Sequence, residues 1–290
     1  MLDCRAMRVG FVTRLLWDRY GPFWRRLLDA AGAETVVPDP ERVAALATEP
    51  RLDVVAGRAF REAAAEALAL AGCDRIVVPE LNPGYAGTRG SAQDPFVADF
   101  PGALAHGIPG LPSLLAVPAD LEDDALEGRA IAILSLVVPS AGAVRRVWQT
   151  HRADARRPRP AGLPPEGGSG TRTIALVGQP WHLHGDVERR AGRAGERLLS
   201  AGRIAPAEAR VEGWRIDPKL APSDAEALGG VRRLARRPGV DAVRMIVDAS
   251  SGADAWLERR ARDVASRRRF ETVDLSELAP SRSGDGTAAS

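Results

Sequence analysis

Two histidines lie close together in the sequence, His182 and His184, in the stretch GQPWHLHGD. Imidazole nitrogens are common zinc ligands, and in an extended chain the alternation of side chains would turn both rings to one side. Together with Asp186 they suggest a metal-dependent, hydrolytic enzyme. Pro180 and Gly185 bracket the pair, however, and this favours a strand-to-helix turn with Asp186 near the N-cap.

The usual nucleotide and esterase motifs are absent from the sequence. No G-x-G-x-x-G follows a predicted strand, and no G-x-x-x-x-G-K-[ST] is present. A G-x-S-x-G nucleophile turn is also missing. The sequence therefore does not indicate a dinucleotide enzyme, a P-loop nucleotidase or a serine hydrolase of the α/β type.

The chain contains two cysteines, Cys4 and Cys73. A tetrahedral zinc site or an ordinary iron–sulfur cluster needs three or four thiolate or imidazole ligands. Two thiols alone provide neither. Cys73 lies between a helix-like and a strand-like segment, where a small buried apolar side chain is expected.

Composition and charge exclude several classes of protein. The chain has 290 residues, of which 45% are hydrophobic and 27% charged, which is typical of a globular protein with two domains. No apolar segment approaches the roughly 18 residues of a membrane-spanning helix, and the N-terminus lacks a signal-peptide core. The net charge of +2 gives no basic field for nucleic acid or an anionic membrane. We therefore expect a soluble, cytoplasmic protein that binds neither.

Strand-like and helix-like segments alternate along the chain, which predicts the α/β class with parallel sheets. In the first part, strands are predicted at 8–12, 35–38 and 75–79, and helices near 23–31 and at 58–71. The segment 82–93 has little periodicity and predicts a loop at the carboxyl end of a strand, where α/β folds bind ligands. Residues 121–138 fit a buried helix or an apolar strand, and we favour the helix because the run is long and opens with acidic residues. Residues 144–151 predict a further helix.

A second α/β unit follows a Pro- and Gly-rich break. Strands are predicted at 173–178, 209–216, 241–248 and 270–275, and helices at 187–201, 225–236 and 253–265. The predicted organisation is two Rossmann-like (flavodoxin-like) domains, 1–120 and 172–278, joined by a helical connection at 121–155 and a linker at 156–171. A disordered tail is predicted at 279–290.

Several segments resemble the 2-hydroxyacyl-CoA dehydratase superfamily, especially its activase-related branch. The opening VGFVTRLLWDRYGPFWRRLLDAAGAETVVPDP resembles that family's first strand, turn and aromatic-rich helix, with Arg14 at the position of a family arginine and Thr13 where proline is usual. CDRIVVPELN, DPFVADFPGALAHGIPGLPSLL, ALVGQPWHLHGDVERRAGRAGERLLSAG and SSGADAWLE resemble later family segments in the same order. The resemblance extends over most of residues 7–275.

The resemblance implies an iron–sulfur site that this chain has lost. Family members that dehydrate their substrate hold a four-iron four-sulfur cluster between two α/β domains through cysteines of three motifs. The corresponding positions here are the cysteine-free segment 55–59, Asp94 and Ser251. A cluster needs soft sulfur donors, so three such replacements are not compatible with it. We therefore predict no cofactor, the alternative being a cluster completed by a partner chain.

The family layout also implies an interdomain cleft. Its expected lining comes from residues at or just beyond predicted strand ends: Arg14, Trp17, Glu80, Asn82, Asp94, His106, Gln179, His182 and Ser251. Arg14 suits a carboxylate or phosphate ligand, or it caps the following helix. Asp94 precedes Pro95, an N-cap and N1 arrangement, and we favour that role. Trp17 and His106 have equally simple structural interpretations, as a core aromatic and a helix C-terminal residue.

Three functional hypotheses follow. The first is a cluster-less, dehydratase-like accessory protein that binds an acyl-CoA, a small carboxylate or another subunit. The second is a true subunit of a 2-hydroxyacyl-CoA dehydratase or its activase system, and hence part of a lyase. The third is the metal-dependent enzyme that uses His182 and His184.

Overall fold

The computed structural model describes residues 5–122, 124–156 and 172–278. The predicted tail at 279–290 and all but the first residue of the predicted linker lie outside these ranges. Within the described part of the chain, no helix is both long and apolar enough to cross a membrane.

The first half forms a four-stranded parallel sheet in the order β2-β1-β3-β4. Its strands are β1 (Arg8–Phe11), β2 (Glu34–Val36), β3 (Arg75–Glu80) and β4 (Ser113–Pro118). Its helices are α1 (Trp17–Ala30), α2 (Pro40–Leu46), α3 (Arg58–Ala69), α4 (Pro95–Ala98), α5 (Phe100–Gly107), α6 (Leu126–Val137) and α7 (Ala141–His151).

Both faces of this sheet are covered. Val77 of β3 packs in a core with side chains of α1, α6 and α7, whereas Ile76 and Val78 pack on the opposite side with α3 and α5. Burial on both faces explains the unbroken apolar run of β3, which is characteristic of parallel sheets. The helices at 126–151 thus complete the core of the first domain.

The second half repeats the architecture in the order β6-β5-β7-β8. Its strands are β5 (Arg172–Gly178), β6 (Glu196–Ser200), β7 (Ala242–Val247) and β8 (Arg269–Asp274). Its helices are α8 (Gly185–Ala191), α9 (Pro206–Trp214), α10 (Pro222–Ala235) and α11 (Gly252–Ala265). Helices α10 and α11 cover one face, and α8 packs on the other. The predicted fold class, two Rossmann-like parallel-sheet domains, is confirmed.

Two predicted elements of the second domain are wrong. The helix predicted at 187–201 ends at Ala191, and β6 follows, because Gly192 and Gly195 interrupt the helix and the remaining residues pair with β5. The strand predicted at 209–216 is helix α9, which begins with Pro206 in its first turn. In the first domain, the pattern predicts neither helix α2 nor strand β4.

Helices α9 and α10 touch through their backbones. A Cβ atom added to Gly213 would overlap the carbonyl group of Ala225, and one added to Gly229 would overlap the carbonyl oxygen of Ala209. Only glycine permits so close an approach. The two helices therefore form one tightly packed unit, and this tertiary contact explains why the segment 206–214 is helical.

A buried ion network joins three strands of the second sheet. Arg244 of β7 has no exposed surface, and its guanidinium donates to Glu196 of β6 at 2.5 Å, to Glu271 of β8 at 2.8 Å and to the carbonyl oxygen of Ala191 at 2.8 Å. Burial acts to raise the pKa of Glu271, but hydrogen bonds from Arg244 and Arg172 outweigh it and bring that pKa to about 2. Every charge in this network is matched inside one domain.

Candidate functional site

The carboxyl ends of the two sheets meet at the interface between the domains. Asn82, two residues after β3, accepts a hydrogen bond from the backbone N–H of Ser223 at 2.8 Å and donates to the carbonyl oxygen of Val97 at 2.7 Å. Tyr85 in the same loop donates to the carbonyl oxygen of Lys219 at 3.2 Å. Because α/β folds bind ligands at this edge, the interface is the candidate functional site.

A polar cluster of Ser91, Gln179 and Asp224 is fully buried between the domains. The Ser91 N–H donates to Asp224 Oδ2 at 3.1 Å, and the Ser91 hydroxyl also contacts this carboxyl group. Gln179 Nε2 donates to Ser91 Oγ at 3.1 Å, while Gln179 Oε1 is buried and accepts no hydrogen bond. Burial raises the pKa of Asp224 to about 7 against the opposing effect of these hydrogen bonds.

A second buried group surrounds His182. Its Nε2 lies 2.8 Å from Asp254 Oδ2, and the same carboxylate oxygen accepts from the N–H of Asp248 at 2.7 Å. Ser251 Oγ caps α11 by accepting from the N–H of Asp254 at 3.3 Å. Asp248 in turn accepts from the N–H of Arg58 in the first domain. This group fixes the start of α11 against the start of α3.

A small cavity opens beside these clusters, between α1 of the first domain and α9 and α10 of the second. Two ion pairs cross the interface on its walls, Arg19 with Glu226 and Arg210 with Asp120. The Ser223 hydroxyl, at the start of α10, is also in the lining, is buried and makes no hydrogen bond. The cavity volume of about 20 Å³ is the size of a single water molecule.

The backbone bordering this cavity is strained. Leu16, which precedes α1 and lines the cavity, has φ 58° and ψ 24°, a left-handed conformation that is unfavourable for a residue with a Cβ atom. The preceding turn is held in place by Glu66, which accepts from the N–H groups of Thr13 at 2.6 Å and Arg14 at 3.0 Å. Glu66 thus holds the turn after β1 through its backbone N–H groups, and the strained residue of that turn lies at the cavity.

The structure brings five of the predicted cleft residues to the interface. Glu80 lines the cavity, Asn82 and Gln179 make the contacts described above, and His182 and Ser251 lie at the start of α11. Glu80 also forms an ion pair with Arg129 at 3.1 Å.

The other four predicted cleft residues have local partners. Asp94 caps α4, accepting from the N–H of Phe96 at 2.9 Å, and burial raises its pKa. Arg14 pairs with Glu62 and Glu66 of α3, and His106 Nδ1 lies 2.7 Å from the carbonyl oxygen of Gly102. Trp17 packs edge-on against Phe11 and Tyr20.

Sequence reasoning missed the charged residues of the interface. Arg19, Asp120, Arg210 and Glu226 are spaced like ordinary surface charges of helices and loops, and Asp224 looks like a first-turn acid that complements a helix dipole. They differ from ordinary surface charges only in the residue that each of them contacts across the interface. Their own sequence segments contain no pattern that predicts this contact.

The oxygen donors at the positions that correspond to the three cysteine motifs do not suit an iron–sulfur cluster. Gly57 lies against Ser251, and the Asp94 and Ser251 side chains already accept helix-capping hydrogen bonds. Cys73 is buried beyond the opposite, amino-terminal edge of the first sheet, next to Asp74, whose N–H bonds to Arg8 of β1. Among the described residues, no group of three or more His, Cys, Asp or Glu side chains is arranged to hold a metal ion. His184 is not in contact with Asp254, the partner of His182, and burial lowers its pKa.

No family model matches this chain, and neither does any curated protein or solved structure.

Proposed function

We propose that this chain is a cluster-less, dehydratase-like accessory protein that binds a small ligand with an anionic group between its two domains. One observation carries the proposal: the interdomain cavity is walled by two ion pairs and a buried Ser223 hydroxyl without a partner. Buried polar groups are nearly always hydrogen-bonded, and an exception calls for an explanation such as a catalytic role or a bound water or ion. The strained conformation of Leu16 on the same wall supports this choice of site.

The family resemblance supports the non-redox part of the proposal. The segments that correspond to the three cysteine motifs come together at the interface, since Gly57 contacts Ser251 and the turn Gly90–Gln93 packs against α11. The side chains present there are oxygen and nitrogen donors, which do not hold a cluster. The resemblance thus predicts the location of the cleft, and the donor set predicts the loss of its cofactor.

The cavity as it stands is too small for a carboxylic acid or an acyl-CoA. Ligand binding therefore requires the two domains to separate at this edge, as in other proteins that close around a ligand. The interface is rich in polar contacts, which is typical of domains that move relative to one another. In the open state Arg19, Arg210 and Ser223 become available to the anionic group of a ligand.

Thermal unfolding in the presence of small carboxylates and acyl-CoAs tests this function. A ligand that binds only the folded protein raises Tm with concentration. We expect such a shift for the wild type and at least a tenfold weaker apparent affinity for Ser223→Ala. The matched control is Ser135→Ala, whose hydroxyl donates to a backbone carbonyl on the outer face of α6. Equal affinity in both variants would exclude this cavity as the site.

Iron and acid-labile sulfide analysis of anaerobically purified protein tests the absence of a redox role. We expect neither element in stoichiometric amount. One cluster per chain would contradict the proposal and would favour a true dehydratase subunit in which other thiolates complete the site.

A further inference from the structure

The two domains share the polar cluster of Ser91, Gln179 and Asp224. Ser91 lies in the turn Gly90–Gln93 of the first domain, whereas Gln179 follows β5 and Asp224 lies in the first turn of α10, both in the second domain. The backbone of the first domain covers the Asp224 carboxyl group, since a Cβ atom added to Gly90 would lie 2.5 Å from Asp224 Oδ2. Separation of the domains would therefore expose this carboxyl group to water.

The covered carboxyl group has no cation beside it to balance a negative charge. Asp224 is 0% exposed, and its hydrogen-bond donors among the residues that the structure describes are the Ser91 N–H, the Ser91 hydroxyl and the Gln179 amide, all uncharged. Removal of an unpaired carboxylate from water is costly. Gln179 Oε1 is in addition a buried acceptor without a donor, and a proton on Asp224 would add an O–H donor to the cluster. The closed interface thus favours the protonated form of Asp224.

The titratable side chains around Asp224 act in the same direction. Burial raises the pKa of Asp224 to about 7, and the negative charge of Asp254 on α11 adds to this rise, against the hydrogen bonds of the cluster. Arg89, which precedes the turn Gly90–Gln93, is exposed to solvent. The other titratable groups near the cluster contact different partners: Arg19 pairs with Glu226, Arg210 with Asp120, His182 with Asp254, Asp248 with the N–H of Arg58, and Asp94 with the N–H of Phe96.

We propose that Asp224 regulates the closure of the cleft, because its protonated carboxyl group stabilises the closed domains and its ionised form favours their separation. This inference rests on the domain separation that the proposed function requires, and it specifies how that separation is regulated. The cost of the carboxylate charge applies only to the closed interface, because water hydrates the group once Gly90 has moved away. A rise in pH therefore shifts the population toward the open state, which accepts a ligand.

Proton linkage determines the size of this effect. The pKa of Asp224 is about 7 in the closed protein, and we expect its ordinary value of 3.8 for the hydrated carboxyl group of the open protein. Between about pH 4 and about pH 7 the closed state retains a proton that the open state releases. The ratio of open to closed molecules should therefore increase by up to about tenfold per pH unit in this range and become constant above it.

Backbone hydrogen exchange without ligand, between about pH 5 and about pH 8, tests the inference. The reporters are two N–H groups that donate across the interface, that of Arg58 to Asp248 and that of Ser223 to Asn82. They should exchange at least about a hundredfold faster than amides of β3 and β7, as expected for domain opening without unfolding. Relative to Asp224→Asn at the same pH, their protection in the wild type should decrease by up to about tenfold per pH unit.

Two further variants sharpen this test. Gln179→Leu keeps the titrating group, and its transition should move to higher pH because the amide hydrogen bond lowers the pKa of Asp224. This variant keeps the test valid if Asp224→Asn fails to fold. Asp241→Asn is the matched control and should behave like the wild type, because Asp241 accepts from the N–H of Thr173 at 2.7 Å within the second domain.

The possible results separate this inference from the proposed function. The wild-type pH profile in both Asp224→Asn and Gln179→Leu would overturn the regulation by Asp224 and leave ligand binding in the cleft as proposed. Reporters that exchange as slowly as the strand amides at every pH would overturn the domain separation and with it both proposals. Failure of every ligand in the thermal-shift test would overturn the proposed function alone, because exchange is measured without ligand.

Discussion

Two sets of arginine–carboxylate ion pairs in this protein differ in where they lie relative to the domains. The network around Arg244 lies inside the second domain, joins three neighbouring strands and leaves the guanidinium with no exposed surface. The pairs Arg19–Glu226 and Arg210–Asp120 cross from one domain to the other and border a cavity. Charges of the first set keep the same partners as long as the sheet exists, whereas those of the second would lose their partners in the domain separation that we propose.

Because of this difference, we assign a structural role to the charges of the Arg244 network and a functional role to the interdomain pairs. A buried pair contributes little net stability when both partners are present, but removal of one partner is strongly destabilising. In the Arg244 network that penalty locks the order and register of the strands. At the interface the same penalty opposes separation of the domains unless solvent or a ligand replaces the partner that each charge loses.

Among the variants that test this comparison, removal of the Arg244 guanidinium should change the free energy of unfolding most. Arg244→Met removes the fully buried guanidinium that Glu196 and Glu271 share and leaves them only more exposed arginines, and we expect a loss of about 3–5 kcal/mol in the free energy of unfolding. Urea denaturation measures it. Arg172→Ala is the control, because Arg172 pairs with Glu271 from a more exposed position and should cost about 1 kcal/mol or less. Similar losses in the two variants would contradict a special role for the buried network.

The carboxyl group of Asp224 should make the interface sensitive to pH. Burial raises the pKa of this carboxyl group from its ordinary 3.8 to about 7 in the folded protein, so the folded state retains a proton that the unfolded chain releases. Its contribution to stability is complete below about pH 4 and declines up to about pH 7, with a slope approaching about 1.4 kcal/mol per pH unit. As the pH rises through this range, the unfolding free energy of the wild type should therefore decrease with this slope relative to that of Asp224→Asn. A constant difference between them across the range would contradict the prediction.

A double-mutant cycle on Arg19 and Glu226 should give a smaller value. With Arg19→Gln, Glu226→Gln and the double variant, we expect a coupling free energy of about 1–2 kcal/mol, because the side chains are largely but not completely removed from water. A saturating ligand that binds between the separated domains should reduce this coupling, since it moves the two side chains apart. A coupling that ligand leaves unchanged would indicate that the pair has the same structural role as the Arg244 network.

Arg14 should have the smallest effect, although the sequence singled it out as a ligand contact. Its side chain is half exposed and pairs with Glu62 at 3.4 Å within the first domain. Arg14→Ala should change the free energy of unfolding by less than about 0.5 kcal/mol and leave ligand affinity within about twofold. A tenfold loss of affinity would extend the site to the turn after β1.

The fold was predictable because its signals are local and repeated. The alternation of short apolar strands with amphipathic helices specifies parallel sheets, and the apolar run of β3 correctly indicates burial on both faces. The two wrong elements have tertiary causes: β6 is an edge strand whose pairing with β5 prevails over a helix-like composition, and α9 is fixed by its contact with α10.

The candidate site was predictable only in part. Residues directly after strands, such as Asn82 and Gln179, reach the interface because strand ends define that edge of an α/β sheet. Arg19, Asp120, Arg210 and Glu226 lie on helices and loops where charged residues are ordinary. Their role depends on how the domains pack, and that arrangement leaves no periodic signal in the sequence.

The glycine contact between α9 and α10 determines how the cleft can open. Arg210 stands on α9 and Glu226 on α10, and two helices in backbone contact cannot shift independently. Both interdomain pairs should therefore break in one concerted step, so that the protein populates a closed and an open state without half-open intermediates. A ligand would then act by its differential affinity for these two populations. Position 213, which is not among the residues that line the cavity, would control that cooperativity from outside the site.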